Sequence, residues 1–204
     1  MEIAQEGAIP PLVALLRGGG TDTIKQAAAA RALQNLALNT NNAAAIAWTG
    51  GIPPLIALLS GSGTDTTKEA AARALQNLAL TSDNAVAIAR AGAIPPLIAL
   101  LSVGWSDGCM EAAARALQNL ACNDDNVKAI VRKGAIPALV ARLSAGGADG
   151  CKEAATEALE NFASNDEHML AVAQAGAIPP LVALLSAGET DGVRESAAGA
   201  LGNG

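Results

Sequence analysis

The chain has 204 residues, of which 49 are Ala and 25 Leu, and only two Trp and one Phe supply aromatic surface. Ala and Leu are strong helix formers, whereas strands draw on aromatic and β-branched residues, so an all-β fold is excluded. A hydrophobic fraction of 51% excludes a disordered chain. The formal charge of −6 has the wrong sign for gripping phosphate backbones, and the lack of aromatics removes base-stacking platforms. Nucleic acid is therefore not an expected partner.

The N-terminal Met1-Glu2-Ile3-Ala4 lacks the basic and apolar segments of a secretion signal. No apolar run approaches the roughly 20 residues that span a bilayer, so direct membrane insertion is not expected. A soluble cytoplasmic protein, with the nucleus as a second compartment, is the expectation. Three cysteines, Cys109, Cys122 and Cys151, show no CxxC spacing and fit reduced thiols.

Ile-Pro recurs at Ile9-Pro10, Ile52-Pro53, Ile94-Pro95, Ile136-Pro137 and Ile178-Pro179, at intervals of 43, 42, 42 and 42 residues. The string Ala-Ala-Ala-Arg-Ala-Leu-Gln-Asn-Leu-Ala begins at Ala28, Ala70 and Ala112, and a fourth unit keeps its frame with Glu157 in place of Arg. Five units follow, at roughly 1–41, 42–83, 84–125, 126–167 and 168–204, within a single domain spanning 1–204 and with both end units incomplete. The longer first interval reads as one extra residue, Ala27, before the repeated string.

Each unit reads as three helices. In unit one only a stub of the first helix remains, Glu2 to Glu6. In unit three a short first helix runs from Asn84 to Ala91 and stops at Gly92, which supplies a positive φ. Pro95 and Pro96 fit the first turn of a second helix, whose Leu97, Ile98, Leu100 and Leu101 call for burial on most sides. After a loop over 102–107, a third helix runs from Met110 to Ala121 with Ala113, Ala116, Leu117 and Leu120 on one inward face. Asp22, Asp65, Asp107, Asp149 and Asp191 precede the third helices, where a carboxylate caps first-turn N–H groups and meets the positive end of the helix dipole. One Asp per repeat cannot supply the six to eight oxygens of a calcium site.

A lone unit cannot bury its apolar second helix, but stacked units bury it between neighbours, giving a solenoid. The period of 42 excludes repeats of about 33 and 34 residues. The run Gly-Ala-Ile-Pro-Pro-Leu-Ile-Ala-Leu-Leu from Gly92, followed by Ala-Arg-Ala-Leu-Gln-Asn-Leu-Ala, resembles the armadillo repeat along the whole chain.

The resemblance implies an all-α, right-handed superhelix whose third helices line a concave groove, with a ladder of Asn side chains holding the backbone of an extended partner peptide. The matching positions are Asn35, Asn77, Asn119, Asn161 and Asn203. An amide offers donors and an acceptor, so it can serve a bound strand of any sequence. The alternative is that these Asn pair with neighbouring helices of the chain itself. Four residues earlier, where armadillo importers resemble one another in carrying Trp, stand Arg31, Arg73, Arg115, Glu157 and Gly199, which disfavours a nuclear-import adaptor. Units one to three then suit acidic or phosphorylated segments through Arg fork geometry, and Glu153, Glu157 and Glu160 suit Lys or Arg. Against this, Glu69 and Glu111 lie four residues before Arg73 and Arg115 and suit surface ion pairs.

Trp105 is expected to fold onto its own repeat, Trp48 to cover apolar surface, and His168 to cap or sit in solvent at the start of a first helix. No phosphate loop, GxSxG or HExxH motif occurs, so no enzyme, cofactor or metal site is expected. The expected function is a non-enzymatic scaffold for an extended protein segment. Two alternatives stand beside it: end-to-end association of copies through faces carrying Leu181, Leu184, Leu185 and Leu201, and a designed, consensus-like array without a natural ligand.

Overall fold

The computed structural model describes residues 7–18, 22–102, 104–145, 148–164, 166–186 and 189–202. Among them every regular element is a helix, and the order repeats a short first, an apolar second and a long third helix per unit. Unit one shows its second and third helices, Ile9–Arg17 and Thr23–Leu36. Unit two follows with Thr40–Trp48, Ile52–Ser60 and Asp65–Leu78, and unit three with Ser82–Arg90, Ile94–Leu100 and Asp107–Leu120. Unit four has Asp124–Arg132, Ala135–Ala145 and Asp149–Ala163, and unit five Asp166–Gln174, Ile178–Leu184 and Asp191–Gly202. The stub expected over Glu2 to Glu6 lies outside the described residues.

Local chemistry sets these boundaries. Asn39 and Asn123 cap their first helices, each Oδ1 accepting two backbone N–H groups at 3.0–3.2 Å. Gly50, Gly92, Gly134 and Gly176 end the first helices with φ of 76, 87, 85 and 78°, a region costly for residues with a Cβ. In units one, two, three and five the Ile-Pro-Pro sequence then opens the second helix, with Pro where no intrahelical N–H is needed.

Each third helix packs on the third helix of the unit before and after it, and each second helix packs on its own third helix. The interior is therefore a continuous row of small and aliphatic side chains: Leu33, Leu75, Leu117 and Leu159 recur at one position and are fully buried. Ala71, Ala113 and Ala155 fill the close approaches between stacked third helices. No described helix is long and apolar enough to cross a membrane.

Three sequence expectations shift. The first helix of unit three is Ser82–Arg90 rather than Asn84 to Ala91, and the third is Asp107–Leu120 rather than Met110 to Ala121. Thr23–Leu36 and Asp65–Leu78 both have 14 residues, so the extra residue of unit one lies between Arg17 and Thr23 and not at Ala27.

A further correction concerns the acidic residues. Only Asp22 is an N-cap, accepting from the Lys25 N–H at 3.1 Å. Asp65 and Asp107 are the first helical residues, and the capping atoms are the hydroxyls of Thr64 and Ser106. In unit five the Thr190 hydroxyl accepts from Val193 N–H. Asp65 reaches instead across the stack, its Oδ2 accepting the Ser106 N–H of the next unit at 3.0 Å.

Candidate functional site

The third helices bring the recurrent polar residues into rows. At the C-terminal turn of these helices, Asn77 Nδ2 donates to the Gln34 carbonyl and Asn119 Nδ2 to the Gln76 carbonyl, each at 2.9 Å. Each amide is thus pinned on the third helix of the preceding unit, as the intramolecular reading anticipates. That bond uses one of the amide's four hydrogen-bonding valences. The Oδ1 atoms of Asn77 and Asn119 have no hydrogen-bond partner among the described residues. Asn35 and Asn161 are exposed and their side-chain amides are unpartnered among the same residues. Asn203 lies outside the described residues.

One turn earlier the charged row forms a linked ladder. Arg73 Nε meets Glu69 at 3.0 Å in its own helix, and Arg73 Nη2 lies 3.6 Å from Glu111 of the next unit. Arg115 contacts Glu111 at 3.2 Å, Glu153 at 3.7 Å and Glu157 at 3.2 Å. The (i, i+4) pairs read from the sequence therefore exist, and inter-unit contacts that no single repeat reveals continue them. Arg73 and Arg115 are neutralised in place. Arg31 makes no ion pair among the described residues, because unit one has Ala27 where later units have Glu.

The glycines at the second position of the following helices make room for this ladder. A Cβ at Gly108 would stand 2.7 Å from the Glu69 carboxylate, one at Gly150 3.2 Å from Glu111, and one at Gly192 2.6 Å from Glu153. The carboxylates lie over the start of the next third helix, where the dipole favours negative charge. Unit two has Thr66 at this position, opposite Ala27.

Charge along the row is polarised. Arg31 has no ion-pair partner among the described residues at one end, while Glu153, Glu157, Glu160 and Glu195 accumulate at the other against Arg115. Burial pushes the Glu160 carboxyl above the usual glutamate range, opposed by a hydrogen bond from Ser196 and reinforced by Glu157 and Glu195. At Gly199, the fifth member of the row, a Cβ would collide with the Glu160 carboxylate.

Beyond the Asn row, in the turns that end the third helices, stand Leu38, Leu80, Cys122 and Ser164, all exposed. A recess of 430 Å³ is lined by Leu80, Gln118, Asn119, Cys122, Asn161 and Ser164 together. This flanking row was missed in the sequence reading, although its spacing of 42 from Leu38 to Leu80 is visible there.

The singular residues fall differently from expectation. Trp48 is 92% exposed and covers no apolar surface. Trp105 packs on the core, and Lys68 Nζ of the preceding unit lies 4.9 Å from its ring centroid, a contact across the unit boundary that the sequence does not reveal. His168 is buried, at the position where Asn126 Nδ2 donates to the Leu120 carbonyl at 2.9 Å, and neither caps a helix nor sits in solvent. Arg142, which the sequence reading passed over, replaces Leu58 and Leu100 in the interior and lies 3.1 Å from Met110 Sδ.

All three cysteines are free. Burial raises the thiol pKa of Cys109, and that of Cys151 despite the nearby Arg142 cation, which keeps both thiols protonated and unreactive. Among the described residues, no group of three or more His, Cys, Asp or Glu is placed to hold a metal ion.

The arrangement resembles known proteins at two levels. The family model for the armadillo/beta-catenin-like repeat matches residues 1–38, 39–80, 81–122, 123–164 and 165–203. None of the curated proteins compared with the chain matches it. Among solved structures, a crystal structure of an engineered protein superimposes with a TM-score of 0.92 at 32% identity, covering 99% of this chain and 83% of the other. A designed armadillo repeat protein in complex with the peptide (KR)4 gives 0.89 at 28% identity, covering 99% and 84%. A computationally designed armadillo repeat protein for modular peptide recognition gives 0.87 at 26% identity, covering 96% and 81%. With five in-phase repeats over nearly its whole length and an all-α solenoid of stacked third helices, the chain belongs to the armadillo repeat family.

Proposed function

We propose that the chain is a non-enzymatic scaffold that holds an extended peptide segment along the third-helix row, with Lys or Arg of that segment over units four and five. The observation that carries this reading is the state of the Asn amides. Asn77 and Asn119 are oriented by a bond to the preceding unit, yet each keeps an acceptor oxygen without a partner. A pre-oriented amide pays less ordering cost on binding a strand's N–H groups than a free one does. Third helices roughly 8 to 10 Å apart meet a strand rising about 3.3 Å per residue, so each Asn serves two or three residues of the guest.

The charge of the segment follows from the ladder. Arg73 and Arg115 are already engaged with glutamates, so they do not invite an acidic guest. Glu160 and Glu195 have no cation partner among the described residues and Glu157 shares Arg115 with Glu111 and Glu153, so a cationic guest relieves the mutual repulsion of these carboxylates. The designed armadillo protein seen with a Lys/Arg peptide supports this polarity.

The test is a titration of a fluorescent eight-residue Lys/Arg peptide at low salt. Asn77→Ala plus Asn119→Ala should weaken binding about tenfold or more, which corresponds to about 1.4 kcal/mol. Glu157→Lys should weaken it further and flatten its salt dependence. Unchanged affinity in the double Asn variant would move the site off this face.

A second reading rests on a separate observation. Ile178, Val182 and Leu185 of unit five are exposed, whereas Ile136, Val140 and Leu143 at the same positions of unit four are buried against the following unit. Copies of the chain can stack end to end through this surface.

A further inference from the structure

Near the start of each third helix one position holds Gln26, Lys68, Met110 and Lys152 in successive units. The residue 37 positions later, ahead of the next third helix, is Gly63, Trp105, Gly147 and Glu189 in turn, of which Gly147 lies outside the described residues. Trp105 packs on the core with Lys68 Nζ 4.9 Å from its ring centroid. Glu189 accepts from Lys152 Nζ at 2.9 Å with both carboxylate oxygens. Arg142 Nη1 lies 3.1 Å from Met110 Sδ. At units one and two, Gly63 offers no side chain, and a cavity of 590 Å³ opens between Gln26 and the Pro53, Pro54 and Ala57 wall of the next second helix. The corresponding cavity at units four and five, where Lys152 and Glu189 pair, measures 450 Å³. The rim differs as well. Arg17 lines the cavity at the position where later units have Ser60, Ser102 and Ser144. Its guanidinium donates to the Thr49 and Gly50 carbonyls at 3.3 and 3.2 Å, which holds it in place without neutralising its charge. No carboxylate pairs with Arg17 among the described residues. The Gln26 amide is fixed in turn by its bonds to the Leu16 and Gly18 carbonyls.

We propose that this cavity binds a planar aromatic ring bearing an anionic group, the ring lying over Gln26 as Trp105 lies over Lys68, and the anion meeting Arg17. The occupant is argued from the chain itself, whose own indole is accommodated at the next boundary between units. Two residues set units one and two apart, and each serves one half of the ligand. Gly63 in place of Trp105 leaves room for a ring, and Arg17 in place of serine adds the counter-charge. The cavity falls within the roughly 300–1,000 Å³ that holds small ligands. Burial of an aromatic ring supplies most of the affinity, and an exposed ion pair adds a modest preference for the charged form. The site lies at the opposite end of the third helices from the Asn row, so it does not depend on what the groove holds.

Titration of 5-fluoroindole-3-acetate and of neutral 5-fluoroindole, followed by fluorine NMR, tests this. The parent chain is expected to bind the acetate with a Kd of about 1 mM or tighter, and about threefold more tightly than the neutral ring at low salt. Arg17→Ser should bring the two ligands to equal affinity. Gly63→Trp and Ala57→Phe fill the cavity from different walls and should abolish binding of both. The Gly63 backbone is not in the left-handed region and Ala57 is exposed, so the helical circular dichroism of each variant should match the parent. Competition by a blocked Gly-Trp-Asp-Gly peptide as strong as that by unlabelled indole-3-acetate assigns the ring to a segment of a partner; weaker competition assigns it to a free ligand. Absence of saturable binding to the parent, equal affinity of the parent for the two ligands, or undiminished binding in both filled variants overturns the proposal.

Discussion

Lys68 and Gln26 occupy the same position in successive units and meet one requirement with different chemistry. The second helix of each unit ends with carbonyls that lack intrahelical donors. Gln26 Nε2 donates to the Gly18 carbonyl at 3.0 Å and the Leu16 carbonyl at 3.4 Å. Lys68 Nζ donates to the equivalent Gly61 and Leu59 carbonyls at 2.6 and 2.5 Å, while its side chain is buried under Trp105. Burial pulls the Lys68 ammonium below the usual lysine range, against the opposing pull of Cys109 and Asp65. Lys68→Gln copies the solution of unit one and avoids burying a cation, so its stability should stay within about 1 kcal/mol of the parent. Lys68→Met keeps the apolar stem but leaves two carbonyls without a donor, at a cost of about 1–3 kcal/mol. Urea denaturation of the two variants distinguishes them; equal midpoints would mean that the carbonyls do not depend on this donor.

At the scale of the element, helix starts divide the work between two residues. A hydroxyl at the N-cap serves the helix it precedes, as Thr64 and Ser106 do. The Asp that follows is freed for other partners, and Asp65 uses its freedom to accept the Ser106 N–H of unit three. Asp65→Ala therefore removes an inter-unit hydrogen bond as well as a favourable charge at a helix start, a loss of about 1–2 kcal/mol. Asp107→Ala removes only the charge and should cost about 0.5 kcal/mol. Denaturant midpoints measured side by side decide the matter, and equal losses would show that the inter-unit bond adds nothing.

The same pair shows what the sequence reveals and what it hides. Pro and Gly act within a few residues of where they stand, so the second helices and the turns before them are legible in the string itself. Whether an Asp caps its own helix or reaches the next depends on a one-residue shift in the start, and propensity does not resolve such a shift. The candidate site divides likewise. The Asn and Arg rows are read directly from the 42-residue period, and the Glu69–Arg73 pair from its spacing of four. The contacts from Arg73 to Glu111 and from Arg115 to Glu153 and Glu157 depend on how closely successive third helices stack, which is set by the small residues between them. The two Trp side chains are not legible from the string either: Trp48 stands in solvent, and Trp105 meets Lys68 of the preceding unit, a neighbour that only the stacking of units brings within reach.

The whole molecule is a stack in which each unit touches only its neighbours, so its stability is a sum of unit terms and interface terms. Interior interfaces cover recurrent positions: Ile136, Val140 and Leu143 of unit four are buried, Leu58 and Leu100 of units two and three are covered from the other side, and Ile56 and Ile98, the counterparts of Val140, are half-buried. On units five and one the corresponding Ile178, Val182, Leu185 and Leu15 are exposed. Leu181 and Leu184, expected on the open face from the sequence, are instead buried. The two exposed surfaces are complementary because interior units already use them on each other. Stacking copies through them repeats a screw operation rather than a twofold one, which makes a heterologous, open-ended contact. If the second reading holds, the weight-average mass of the 204-residue chain in sedimentation velocity should rise continuously with concentration rather than level off at a dimer. Val182→Lys plus Leu185→Glu places charge on one surface only, and should return the chain to a concentration-independent monomer without changing its denaturation midpoint by more than about 0.5 kcal/mol, since both positions are exposed. A parent chain that stays monomeric across the same range would remove self-association and leave peptide capture as the use of the stack.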